Sequence, residues 1–583
     1  MCGLFLALRS LALLAVSVLG FVAASSVDAP FDRDSLRPDA FDWLGLKSKK
    51  TLDWVACYTD LQCARIEVPL NYSEPRGRKG SIAVVRLPAA VSADSPEYRG
   101  PVLFNPGGPG GSGVDLMVVA SKMLSILVGP QFDVVSFDPR GIARSTPRVS
   151  FFDADAERAF WGTNFDVLNA TADALPRAWS RAYLSGVLAA EHDDGILVHI
   201  NTENTARDML RIVEAYGMEK IQYWGLSYGT VLGATFATLF PDRVERLILD
   251  GVVDAENYYA TLWSNNLKDI DKTLYTFFEE CVIAGSTACP FYAPTPEAIS
   301  QNLTALFDQL RERPIPIRTP ISYGVLDYSR LLYTVFESLY SPYGLWPPLA
   351  KGLADLAAGD GTALYSILEA PFFNCACGEG PFIGAVQDAQ RAILCTDGEE
   401  VRGSVDQSRR YFEELRQDSV FAEIWGSIHI GCTNWPKQNK THFQGPSGGN
   451  TSHPILWIGN TADPVTPLRS AHKMAKSFPG SVVLTQDSPG HCSIAAPSMC
   501  TFLHVRRYLT EGTLPVEGTV CPTTQRPFPQ AVPDIVQGGA QTVLMEQLSE
   551  VDANLDVSVL GALTQLSTSY LVPRLGLGLR SRN

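Results

Sequence analysis

The sequence predicts an α/β protein: a mostly parallel, doubly wound sheet carrying a large and mainly helical insertion. Three observations point there. Strand-like and helix-like runs alternate over most of the chain, as parallel strands joined by crossover helices require. Several strand-like runs are continuous apolar segments, the pattern of strands buried on both faces. The alternation breaks after Gly251, turns helical and rich in Pro, Tyr and Phe over residues 257–446, and then resumes.

The elements follow in chain order. Arg9 precedes an apolar run ending at Ala24, with Val22 and Ala24 placed for cleavage, so residues 1–24 are expected to be an export signal. That run is short for a bilayer span, and polar Ser25, Ser26 and Asp28 follow at once, so no membrane anchor is expected. Residues 31–256 read as the first part of the core, with strands expected at 66–70, 81–87, 101–105, 132–138, 221–225 and 246–250. Between them, Ala206, Met209, Leu210 and Val213 mark the apolar face of a helix expected over 204–216. Residues 257–446 form the lid-like insertion, and the second part of the core, 447–535, contributes strands at 455–459 and 481–487. Residues 536–583 read as a tail of no firm assignment.

Composition narrows the function. With 46% hydrophobic and 19% charged residues, the 583-residue chain builds a large core and is not disordered. A net charge of −15 disfavours nucleic acid or an anionic membrane as partner. Zinc-type ligand spacings, Walker sequences and internal repeats are all missing, so neither a metal nor an organic cofactor is expected. Oligomeric state has no signature in the chain.

Secretion has two further signs. N-x-S/T sequons occur at Asn71, Asn169, Asn302, Asn439 and Asn450, none blocked by proline. Cys57/Cys63 and Cys281/Cys289 are spaced for small disulfide loops; Cys500/Cys521 and Cys395/Cys432 are further candidate pairs. Eleven cysteines remain once Cys2 leaves with the signal; the odd number leaves one thiol free, from among Cys375, Cys377 and Cys492.

The chemistry centres on Gly225-Leu226-Ser227-Tyr228-Gly229, a G-x-S-x-G sequence between an expected strand and an expected helix that stops at Pro241. On such a turn the serine is held out above the sheet, and the small flanking residues let two backbones pass closely. A neutral serine is a poor nucleophile, so it needs an imidazole to take its proton and a carboxylate to orient that imidazole. His491, in a tight loop just after a strand, is the base of choice. His472 and His504 fall on expected helices, His453 sits at the wrong end of its strand, and His429 and His442 lie inside the insertion. For the acid, Asp463 stands in the loop Asn460-Thr461-Ala462-Asp463-Pro464-Val465-Thr466-Pro467 at the carboxyl end of a strand; Asp250 is its rival. The loop Asn105-Pro106-Gly107-Gly108-Pro109-Gly110-Gly111-Ser112-Gly113 leaves backbone N–H groups bare, which makes Gly108 and Tyr228 N–H the expected oxyanion donors.

These motifs resemble those of a known family. The glycine-rich loop, Asp138-Pro139-Arg140-Gly141, and Gly225 to Thr230 are similar to α/β-hydrolases related to prolyl iminopeptidase. Asp463-Pro464-Val465-Thr466-Pro467 with Gly490-His491 more closely resembles the secreted tripeptidyl-aminopeptidase branch, over roughly residues 53–521. The resemblance implies an α/β-hydrolase fold and a serine exopeptidase with Ser227, Asp463 and His491 as its triad. Two positions depart: Pro106 replaces the histidine of prolyl iminopeptidases, and Cys492 follows the histidine where bacterial relatives often have glycine. An exopeptidase needs carboxylates for the substrate's ammonium, for which Glu279, Glu280 and Asp397 are candidates, although an ordinary solvated charge is the more usual reading of each. Trp346, Tyr340 and Phe373 are candidates for an apolar pocket or for core. The substrate is thus expected to be a small peptide; a small ester cleaved by a carboxylesterase or lactonase is the alternative, and a non-catalytic binding protein a second one.

Overall fold

The computed structural model describes residues 41–162, 166–369, 386–437, 441–528 and 553–569. Its centre is a ten-stranded sheet. β1 (Val55–Cys57), β2 (Leu61–Pro69) and β3 (Lys79–Leu87) form an antiparallel edge, and β3 pairs antiparallel with β5 (Phe132–Phe137). From there the sheet is parallel, in the order β5, β4 (Gly100–Asn105), β6 (Ile221–Leu226), β7 (Val244–Asp250), β10 (Leu456–Ala462), β11 (Val482–Pro489) and β12 (Val520–Pro522). A separate hairpin pairs β8 (Ile315–Arg318) with β9 (Tyr323–Leu326).

Every residue of β4 and of β5 is buried, which explains why these strands read as unbroken apolar runs. The strand order reverses at β4: the chain leaves it for β5 on one side and reaches β6 on the other. The carboxyl ends of β4 and β6 therefore flank a crevice, the place where such sheets bind ligands.

The helices that bear on the site start at clear signals. Ser112 caps α1 (Gly113–Val128) by accepting the Asp115 N–H at 3.0 Å, and Asn201 caps α2 (Thr202–Ala215) by accepting the Asn204 N–H at 2.8 Å. α3 (Tyr228–Leu239) follows β6 directly. Between β7 and β10 the chain runs through, among others, α4 (Ile270–Ala288), α5 (Tyr328–Ser338), α6 (Pro342–Ala357), α7 (Val386–Asp397) and α8 (Ala422–Ile430). These helices have their own core: Trp346 is fully buried, its ring 5.4 Å from that of Phe277. β10 leads to α9 (Leu468–Ala475), and α10 (Met499–Glu511) follows the β11 loop. The stretch read as a tail contains α11 (Ala553–Thr568), which packs on α1, on α6 and on the turn Ser493–Ala495.

Among the described residues four disulfides form: Cys57–Cys63 between β1 and β2, Cys281–Cys289 at the end of α4, Cys395–Cys432 from α7 to just past α8, and Cys500–Cys521 from α10 to β12. Among the described residues Cys492 is the free cysteine; Cys375 and Cys377 lie outside them. No helix among the described residues is long and apolar enough to cross a membrane.

Candidate active site

Ser227 sits between β6 and α3 with φ 59° and ψ −123°, a backbone conformation that strains a residue bearing a Cβ. The surroundings hold it there. Its N–H donates to the Asp250 carbonyl at 2.9 Å, and its own carbonyl accepts the Thr230 N–H at 2.8 Å and the Thr230 hydroxyl at 2.6 Å. Glycine is obligatory alongside: a Cβ on Gly225 would lie 2.4 Å from the Gly229 carbonyl oxygen. A Cβ on Gly107, in the loop after β4, would lie 2.8 Å from the Ser227 Cβ.

His491 and Asp463 form a buried pair, with exposures of 1% and 0%. The imidazole Nδ1 lies 3.0 Å from both carboxylate oxygens of Asp463 and 3.0 Å from the Thr466 hydroxyl. Donation from Nδ1 to the carboxylate leaves the lone pair on Nε2, the tautomer a general base needs. Asp463 also accepts the Val465, Thr466 and Cys492 N–H groups at 3.0, 2.8 and 2.9 Å. Burial raises the pKa of Asp463, but the His491 charge and these hydrogen bonds outweigh it and hold the group below its ordinary value. Asp250 faces elsewhere: its carboxylate accepts from Ser493 and Trp224. The His491 N–H donates to the Tyr340 carbonyl at 3.0 Å, and the Tyr340 ring stands edge-on to the imidazole at 5.1 Å.

Ser227, His491 and Gly108 line one cavity. Gly107, Gly108 and Gly110 have φ of 89°, 110° and 105°, which turns the loop backbone toward the serine in a way open to glycine alone. Tyr228 is the first residue of α3, so its N–H has no partner within the helix. Its hydroxyl is anchored to Thr202 at 2.5 Å. Trp263, Asn266, Leu394, Trp425 and Ile428, contributed by the segment between β7 and β10, line the same cavity. The Asn266 amide donates to the Val465 carbonyl at 2.8 Å, which presents its oxygen as an acceptor.

The three candidate carboxylates are not among the lining residues. Glu279 is exposed on α4, and Glu280 pairs with Arg526 at 2.8 Å. Asp397 is fully buried and accepts the Thr202 N–H at 2.8 Å, the Thr202 hydroxyl at 2.5 Å and the Tyr258 hydroxyl at 2.7 Å. Tyr340 lines the cavity, Trp346 is core, and Phe373 lies outside the described residues. Of the sequons, Asn302 and Asn450 are exposed and Asn71 is half-buried, whereas the Asn169 amide donates to buried Glu423 at 3.1 Å. Asn439 is outside the described residues. Cys500, His504 and Cys521 cluster, but the two sulfurs are bonded to each other and are spent as metal ligands. Sequence reasoning missed Thr466, Asn266, Trp263 and Trp425. Thr466 had a signal, three residues after the acid in the same loop; the other three did not.

Known proteins are similar to this chain over most of its length. The family model described as alpha/beta hydrolase fold matches residues 100–288, and that described as TAP-like protein matches residues 418–521. The serine protease Hip1 of Mycobacterium tuberculosis is 29% identical over 468 residues, covering 79% of this chain and 87% of that protein. The tripeptidyl aminopeptidase of Streptomyces lividans is 27% identical over 499 residues, covering 82% of this chain and 88% of that one. Carboxylesterase B of Mycobacterium tuberculosis is 28% identical over 476 residues, covering 79% and 86%. With a serine on the turn after β6, a reversal of strand order at β4 and these two matches, the chain has the α/β-hydrolase fold and carries a TAP-like segment toward its C-terminal end.

Proposed function

We propose that the protein is an exported serine exopeptidase that releases short peptides or single residues from free N-termini through an acyl-enzyme on Ser227. The observation that carries this reading is the buried Asp463–His491 pair opening on the same cavity as Ser227, at the switch point of the sheet. His491 takes the Ser227 hydroxyl proton as the oxygen attacks the scissile carbonyl, and Asp463 stabilises the imidazolium. Gly108 and Tyr228 N–H groups receive the oxyanion. The proton passes to the leaving amine, and water repeats the sequence in reverse to free the acyl group. The named relatives support a peptidase, and the four disulfides together with the apolar run before Ala24 support export.

A carboxylesterase is the second reading, favoured by the likeness to carboxylesterase B. A panel of fluorogenic tripeptide amides, single-residue amides and short-chain esters decides between them. The exopeptidase reading expects tripeptide amides to have the highest kcat/KM; esters outperforming every amide would give the site to the second reading.

A further inference from the structure

Asp250 ends β7, is fully buried, and takes no part in the reaction just described. Its backbone carbonyl accepts the Ser227 N–H at 2.9 Å and the Cys492 thiol at 3.4 Å. Its carboxylate accepts the Ser493 N–H at 2.8 Å on one oxygen, and the Ser493 hydroxyl at 2.5 Å and the Trp224 indole N–H at 3.2 Å on the other. One residue therefore grips the serine turn with its main chain and the histidine loop with its side chain. Asp463 holds that loop from the other side, through His491 Nδ1 and the Cys492 N–H. Cys492 itself is held at φ 64°, so the loop between the two carboxylates is under strain and needs both grips.

We propose that Asp250 is a positioning carboxylate for the catalytic pair: ionised, it fixes the His491 loop against the Ser227 turn, and protonated it lets the loop slip. This rests on the serine-hydrolase reading above. Three donors converge on its two oxygens, an arrangement that suits the ionised form. A proton there adds a fourth hydrogen, and the Ser493 hydroxyl must turn to accept it, giving up its own donation. The titratable groups facing Asp250 are His491 and the Cys492 thiol, both on the loop after β11. β6 presents Trp224 and β10 pairs alongside through Ile458, so these neighbouring strands add no charge. Burial pushes the Asp250 pKa from 3.8 to about 6, against the pull of Ser493, Trp224 and the His491 charge. The carboxyl thus changes state in a mildly acidic medium.

The sign for stability is opposite to that for activity. A raised carboxyl pKa means the contribution to stability is fully present below 3.8 and lost as pH rises through about 6. Asp250→Asn removes that loss, so a purely structural account and a positioning account diverge. The test follows the rate at which a fluorophosphonate probe labels the serine, from about pH 5 to about pH 8, in wild type, Asp250→Asn and Ser493→Ala. Asp250→Asn is expected to label roughly tenfold more slowly at about pH 7.5, a misplacement effect. Its acid limb should be shallower by one ionisation, leaving the one a histidine base brings, and its melting temperature unchanged or raised. Ser493→Ala, which deletes only the hydroxyl contact, should move the acid limb to higher pH. An Asp250→Asn protein with wild-type rate and pH profile overturns the proposal. So does one that melts earlier and labels more slowly with the wild-type acid limb, the mark of a scaffold residue. Should Asp250→Asn not fold, an unshifted profile in Ser493→Ala is decisive against it. A wild-type serine that resists labelling at every pH defeats the serine-hydrolase reading and this inference with it.

Discussion

Ser227 is held in a left-handed conformation by its bond to the Asp250 carbonyl and by glycines on either side, so its hydroxyl is fixed by backbone geometry and not by a rotamer choice alone. Ser227→Ala keeps that backbone and removes only the proposed nucleophile. It is expected to lower kcat by about 10,000-fold or more on any good substrate, leaving the residual of binding and oxyanion donors. Wild-type turnover in that variant would falsify the assignment. Asp463→Asn should cost a comparable factor, because the carboxamide can offer an N–H to Nδ1 and stabilise the wrong tautomer. Burial without pairing has a different signature at Glu337. This side chain is 1% exposed on α5 and its Oε2 has no hydrogen-bond partner. Burial pushes its pKa well above the ordinary 4.5, so the group is a neutral acid whose contribution to stability is lost as pH rises toward and through that raised value. Glu337→Gln is therefore expected to melt higher than wild type at about pH 8, with the gap closing toward about pH 5. Melting curves at the two pH values check this; a gap that does not change with pH refutes titration of Glu337.

Helices α7 and α8 bring Leu394, Trp425 and Ile428 to the cavity, and Cys395–Cys432 closes a 37-residue loop between them. Removing this bridge with paired Cys→Ala changes is expected to cost about 4 kcal/mol by loop entropy. Because the bridge holds the cavity wall and not the proposed triad, KM should rise by a larger factor than kcat falls. Equal losses in both would show that the wall and the triad move together. The elements that were legible in the sequence were those with long apolar runs. The strands expected at 101–105, 132–138 and 221–225 match β4, β5 and β6 to within a residue or so, because burial on both faces removes any polar interruption. β1, β12 and the β8–β9 hairpin escaped notice, being only three or four residues long and partly exposed, with no periodicity to read. α11 was hidden inside an apparent tail for a related reason: a helix that docks by small residues and leucines lacks a charged face. The catalytic candidates stood out because each follows a strand with turn chemistry of its own. The wall did not, since Trp263, Asn266 and Trp425 look like any core residues until a cavity opens beside them.

At the scale of the whole molecule, the crevice where the strand order reverses is covered by a segment that leaves the sheet after β7 and returns at β10. The cavity is lined by residues of the sheet loops, Gly108, Ser227, Val465 and His491, and by Trp263, Tyr340, Leu394 and Trp425 of the segment between β7 and β10. On the proposed exopeptidase reading, a short chain end enters this cavity and puts its first carbonyls within reach of Ser227, and a loop of a folded protein does not. Length and terminal charge should therefore both matter. A fluorogenic tripeptide amide with a free N-terminus is expected to exceed its N-acetylated twin in kcat/KM by about 100-fold, since acetylation adds bulk at the closed end and removes the ammonium. An internally quenched peptide of about 15 residues, blocked at both ends, should be cleaved more slowly still. The two measurements separate the causes. If the acetylated tripeptide matches the free one while the long blocked peptide is refused, the site reads length and not charge. If the long blocked peptide is cut as fast as the free tripeptide, the cavity opens enough for internal bonds and the enzyme is an endopeptidase.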